Sequence, residues 1–92
     1  MKATLAVEAT DGDARAGVVT TARGTFRTPC FMPVATRGAV RHLSAVDLER
    51  LGFEVVLANT YHLSLRPGHD VVADLGGLHG FMDWSGHVLT DS

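Results

Sequence analysis

The chain predicts an α/β fold: the opening strands and helices of a parallel β/α barrel, preceded by a short antiparallel β leader. Three observations predict it. Two short apolar runs stop abruptly on small polar side chains, Val55-Val56-Leu57-Ala58 on Asn59-Thr60-Tyr61-His62 and Val88-Leu89 on Thr90-Asp91-Ser92; buried parallel strands deliver polar groups at their carboxyl ends in this way. From Phe31 onward strand-like and helix-like segments alternate, and helices between strands imply parallel pairing through crossovers. Before Pro29 the pattern is of alternating strands broken by glycine-containing turns. Residues 1–28 are therefore read as the leader and 29–92 as the first strands and helices of an incomplete (β/α)8 TIM barrel. A complete barrel takes about 250 residues, so a chain of 92 residues makes up about a third of one.

In order along the chain, Thr4 to Ala9 alternates as a strand and Asp11-Gly12-Asp13 ends it. Gly17 to Thr21, the loop Ala22-Arg23-Gly24 and Thr25 to Arg27 form a hairpin in which Gly24 is free to take the positive φ of a three-residue loop. Pro29 cannot donate to a ladder and closes the leader. Phe31 to Val34 reads as a short apolar strand with Pro33 near its end. Ser44-Ala45-Val46-Asp47 has the spacing of an N-cap with an acidic residue at N3, which predicts a helix from Ala45 to Leu51 stopped by Gly52. Val55 to Ala58 is the next strand, His69 to Leu75 a short helix ended by Gly76-Gly77, and Val88 to Thr90 the last strand. Three strands with open edges predict that the segment on its own aggregates or stays partly unfolded.

The composition, 46% hydrophobic and 20% charged, is that of a globular domain. No run approaches the roughly 20 apolar residues of a membrane helix, and Glu8, Asp11 and Asp13 interrupt any secretory core, so a cytoplasmic protein that meets no membrane is expected. The net charge of −2 conceals an asymmetry: residues 15–50 carry +4 and residues 53–92 carry −4. The basic stretch, Arg15, Arg23, Arg27, Arg37, Arg41 and Arg50, uses arginine alone, the side chain suited to bidentate phosphate contact. It reads either as a solvated surface or as a nucleic-acid face.

Asp91, a carboxylate at a strand end between Thr90 and Ser92, is the leading catalytic candidate; the competing reading is an N-cap of a following helix. Asn59 and Thr60 end the preceding strand and could hold such a carboxylate or contact a ribose, or simply turn the chain. His62 is the one histidine placed near a site. No metal site is expected, since His42, His62, His69, His79 and His87 lack ligand spacing and the lone Cys30 has no partner. Cys30 itself is read as a small core residue. Gly76 to Gly80 lacks the downstream Lys-Ser/Thr of a phosphate loop and is read as a helix stop. Phe81, Met82 and Trp84 are read as a packing plug.

Four motifs in one order resemble the N-terminal part of tRNA-guanine transglycosylases: Thr28 to Thr36, Leu57 to Leu63 with Leu65 to Gly68, Gly76 to His79 with Phe81-Met82, and Leu89 to Ser92. The resemblance implies a TIM-barrel enzyme of queuosine biosynthesis that exchanges guanine at the tRNA wobble position for a 7-deazaguanine. Asp91 matches the family's proton acceptor and substrate contact, Ser92 begins its base-binding turn, and Asn59 and Thr60 match residues lining the site. Also implied are tRNA and a guanine or deazaguanine base as partners, a homodimer, a nucleophilic aspartate far beyond Ser92, and a zinc ion whose Cys/His ligands lie near the family's C-terminus. The expectation is thus an N-terminal fragment, inactive alone. The alternative is a shortened noncatalytic subunit or RNA-binding module.

Overall fold

The computed structural model describes residues 2–36 and 38–91. It divides into two compact units, Met1–Phe31 and Met32–Ser92. Among the described residues no helix is long and apolar enough to cross a membrane.

The first unit is an antiparallel meander of β1 (Thr4–Asp11), β2 (Ala14–Thr21) and β3 (Gly24–Thr28) in the order β1-β2-β3. Its strands run further than the sequence pattern predicts. Asp11 pairs with Ala14 and Thr21 with Gly24, so both loops contain two residues, Gly12-Asp13 and Ala22-Arg23. The expected three-residue loop Ala22-Arg23-Gly24 is corrected on this point, because Thr21 Oγ1 accepts the Arg23 N–H and tightens the turn. Gly24 nonetheless takes the positive φ, +134°, as the first residue of β3. A bulge between Val7 and Ala9 shifts the β1–β2 register, and beside it a Cβ at Gly17 would run into the Ala6 carbonyl oxygen. Cross-strand register sorts the faces: Leu5, Val19 and Phe26 form one row, while Thr4, Thr20 and Thr25 form a row on the other face. Arg27 reaches Glu8 at 2.9 Å.

The second unit opens with a segment that differs from its expected strand. Of Phe31 to Val34 only a single parallel bridge, Val34 to Leu57, is formed; Pro33 lends its carbonyl to the Leu57 N–H but has no N–H to extend the ladder. Then follow α1 (Ala45–Arg50), β4 (Val55–Asn59), α2 (Thr60–Leu65), α3 (His69–Asp74), α4 (Gly77–Met82) and β5 (His87–Asp91). The predicted capping box is present in full: Ser44 Oγ accepts the Asp47 N–H, and the Asp47 carboxylate accepts the Ser44 N–H. Gly52, at φ +83°, follows the C-cap Leu51.

Strands β4 and β5 pair in parallel, Val55 with His87 through Asn59 with Asp91. Two helices between them go beyond the sequence pattern. Asn59 converts the expected loop into α2 by capping it, and Gly77 begins α4 where only a helix stop was expected. Gly76 and Gly77 still end α3 in left-handed conformations, and at Gly80 a Cβ would overlap the Leu75 carbonyl oxygen, so glycine lets α4 fold back tightly.

The core joins Ala35, Leu48, Val56 and Trp84, with Leu43, Phe53, Met82 and Val88 packed against it. Trp84, only 3% exposed, donates its indole N–H to the His87 carbonyl at 2.9 Å. This satisfies the one polar group that burying an indole strands. A Cβ at Gly86 would overlap the Trp84 ring. Trp84 and Met82 thus pack as the plug reading expects, and Phe81 lies against Gly38. Cys30 corrects its expectation: it is exposed, not a core residue.

Candidate functional site

Strand alternation gives the β4–β5 pair two faces. Val56 and Val88 turn toward Leu48 and Trp84 in the core. Leu57, Asn59, Leu89 and Asp91 fall on the other face, because paired residues of a parallel ladder project to the same side. The apolar-to-polar switch noticed in both strand sequences therefore occurs at one level of the sheet. Asn59 and Asp91 are register partners at the carboxyl ends of neighbouring strands.

What fixes Asn59 is local. Its Oδ1 accepts the His62 N–H at 3.0 Å and caps α2. The same bond orients its side-chain amide, whose Nδ2 points the other way and can donate elsewhere. Thr60 and Tyr61 start α2 beside it, and the Tyr61 and His62 rings meet edge to face with centroids 5.6 Å apart.

Thr60, Tyr61, Thr90 and Asp91 line a shallow cavity of about 380 Å³. Its lining residues carry a carboxylate, three hydroxyls and an aromatic ring, and none of the four is cationic. Such a set hydrogen-bonds a neutral, planar, N–H-bearing ligand better than it holds a phosphate, which needs donors or positive charge. The structure thus brings Asp91 and Thr60 around one cavity and places Asn59 in register with Asp91. Ser92 lies outside the described residues, as does Arg37 of the basic stretch.

Tyr61, which also lines this cavity, is not among the candidates the sequence singles out, although it stands between Thr60 and His62 in the polar cluster that ends β4. An aromatic side chain in such a cluster, with no apolar periodicity to bury it, was the available signal.

A second cavity, of about 270 Å³, is lined in part by Glu49, His79, Asp83 and Ser85 beside the start of β5. Three of these four residues are engaged through their side chains, Ser85 Oγ with Glu49 at 3.3 Å and His79 Nε2 with the Gly86 carbonyl at 2.8 Å. The arginines of the basic stretch divide between the two units, Arg15, Arg23 and Arg27 in the first, Arg41 and Arg50 in the second.

The family profile described as queuine tRNA-ribosyltransferase matches residues 10–92. Among curated proteins, a queuine tRNA-ribosyltransferase of Gloeobacter violaceus is 56% identical over 86 residues, covering 94% of this chain and 23% of its own length. One of Xanthomonas oryzae is 55% identical with the same coverage. One of Herpetosiphon aurantiacus is 51% identical over 89 residues, covering 97% of this chain and 23% of its own. The chain thus spans about a quarter of the length of the curated relatives it matches.

Proposed function

Because the chain belongs to the queuine tRNA-ribosyltransferase family, we propose that it is the N-terminal part of an enzyme that exchanges guanine at the tRNA wobble position for a 7-deazaguanine. The observation that carries this reading is the level pairing of Asn59 with Asp91 at the carboxyl ends of two parallel strands, with Asp91 opening into a cavity beside Thr60. Active sites of (β/α)8 barrels gather at that end.

The barrel itself is part of the proposal. Val34, Leu57 and Leu89 form a row across the face opposite the core, Val34 55% and Leu89 50% exposed. Parallel strands are apolar on both faces when both are covered. Further strands closing a cylinder would bury this row as one layer of its interior.

The exchange is a retaining substitution at the ribose C1′. A carboxylate nucleophile attacks C1′, the bond to guanine N9 breaks, and a ribosyl ester forms; the incoming base then displaces the carboxylate, and its proton must leave. Asp91 is assigned the proton: its carboxyl group gives one to N9 of the departing guanine in the first step, and the carboxylate so formed takes one back from N9 of the incoming base in the second. Asn59 Nδ2 and the Thr60 hydroxyl are assigned contacts to the ribose or to the Asp91 carboxylate, and Ser92 the start of the base-binding turn. The wobble base must leave its stack to reach this cavity.

The nucleophile is assigned to a residue of the full-length protein beyond this chain, so the 92 residues alone carry out no exchange. The zinc implied by the family resemblance would be held by a Cys/His set outside these residues. Among the described residues no three His, Cys, Asp or Glu side chains are grouped to hold a metal ion, and no step is assigned to zinc. A homodimer acting on tRNA in the cytoplasm completes the reading.

The test is Asp91→Asn in the full-length protein. Incorporation of labelled guanine into tRNA should fall below detection while the far-UV spectrum and melting temperature stay at parent values. Turnover at the parent rate would remove Asp91 from the proton path.

A further inference from the structure

We infer that Tyr61 is a substrate-binding residue of the same site, its ring a stacking platform for a nucleobase of the tRNA; this rests on the function proposed above. Tyr61 shares the cavity of about 380 Å³ with Asp91, yet its side chain is not part of the apolar core: within these residues it is 58% exposed, and unlike Val34 and Leu89 it stands on α2 past the end of β4, not in the row of the sheet face that further strands would cover. An aromatic ring of that area left open to water gives up the burial that ordinarily stabilises it. It is also held in place. The Asn59 cap fixes the first turn of α2, on which Tyr61 sits, and the His62 ring meets it edge to face at 70°. A T-shaped contact occupies at most one flat face of the tyrosine ring, and a flat exposed face beside hydroxyl and carboxylate groups suits a base better than a peptide or a phosphate. Stacking on such a face tolerates any base. Tyr61 is therefore expected to contribute affinity for the RNA, while Asp91 handles the proton.

The experiment compares Tyr61→Ala, Tyr61→Leu and Tyr61→Phe in the full-length protein. The probes are a transcribed tRNA and its anticodon stem-loop, with folding checked by melting temperature. Tyr61→Ala should raise KM for tRNA tenfold or more, as loss of one stacked base does, with a smaller change in kcat and in KM for free guanine. Tyr61→Leu should behave like the Ala variant despite its apolar bulk, and Tyr61→Phe should lose less than either. The same order should appear in stem-loop binding by proteins that also carry Asp91→Asn, where no turnover occurs. Unchanged RNA affinity in Tyr61→Ala overturns the inference, and so does a Phe variant as weak as the Ala variant, since that would assign the effect to the hydroxyl. If the parent binds the stem-loop but exchanges no base, the proposed reaction fails while the stacking order still decides the role of Tyr61. If the parent binds no RNA, both fail.

Discussion

The meander β1–β3 and the parallel pair β4–β5 are both sheets, but they are held by different forces. Among the described residues of the meander's strands the one fully buried position is Gly17, which has no side chain to contribute. Its strands are held by ladder hydrogen bonds, by cross-strand pairs such as Leu5–Val19 and by two short turns. In β4, by contrast, Val55, Val56 and Ala58 are buried, and the ladder is anchored by a core that includes Trp84 and Leu48. A sheet fixed by its turns depends on local chemistry, whereas one fixed by burial places side chains at its end rigidly. The polar cluster of the candidate site stands on the second kind, as positioning of reacting groups requires.

The sharpest way to break that contrast is Trp84→Ala. Removing a buried indole costs about 3–5 kcal/mol, and in the full-length protein amide exchange should show the loss first in β4 and β5, with the β2–β3 ladder keeping its protection. Equal loss in both regions would make them one cooperative unit and end the distinction. Next in size is Ser44→Ala, which removes the cap of α1 and should cost about 1 kcal/mol. The same cap has a pH signature. Hydrogen bonds from the Ser44 backbone N–H and then the Ser44 side chain hold the Asp47 carboxyl below its ordinary value of 3.8. A carboxyl with a depressed folded-state value stabilises the fold above its unfolded value, and that contribution disappears as pH falls through the folded one. The stability difference between parent and Asp47→Asn should therefore be constant near neutrality and shrink below about pH 4. A difference that grows on acidification would contradict the cap.

The same division governs what could be read from the sequence. Helix α1 was legible nearly residue for residue, because its start and stop are encoded within nine positions from Ser44 to Gly52. The ends of β4 and β5 were legible for a related reason: burial writes an apolar run, and its abrupt end marks the sheet's edge. Other features depend on contacts distant in sequence. The strand expected at Phe31 to Val34 contracted to one bridge because Pro33 limits its pairing with Leu57. Cys30 carries no local mark of exposure, and α4 runs through glycines that propensity counts against a helix. Asn59 illustrates both cases, since its type announced a turn or a site contact, but only the fold shows it capping α2 and level with Asp91. Tyr61 was passed over because the polar cluster around it reads as loop, whereas it stands on the first turn of a helix.

The smallest expected effect lies on the meander. Leu5 begins the row Leu5–Val19–Phe26 and is 57% exposed, so truncating it to alanine removes side chain that is largely in water already. Surface changes of this kind fall within about 0.5 kcal/mol, and the melting temperature of the full-length Leu5→Ala protein should stay close to that of the parent. A loss several times larger would mean that the row is covered in the full-length protein and that the meander, like β4, is stabilised by burial. The two regions would then differ only in which part of the molecule supplies the cover, and the Thr4–Thr20–Thr25 row would be left as the solvent face of an ordinary half-buried antiparallel sheet.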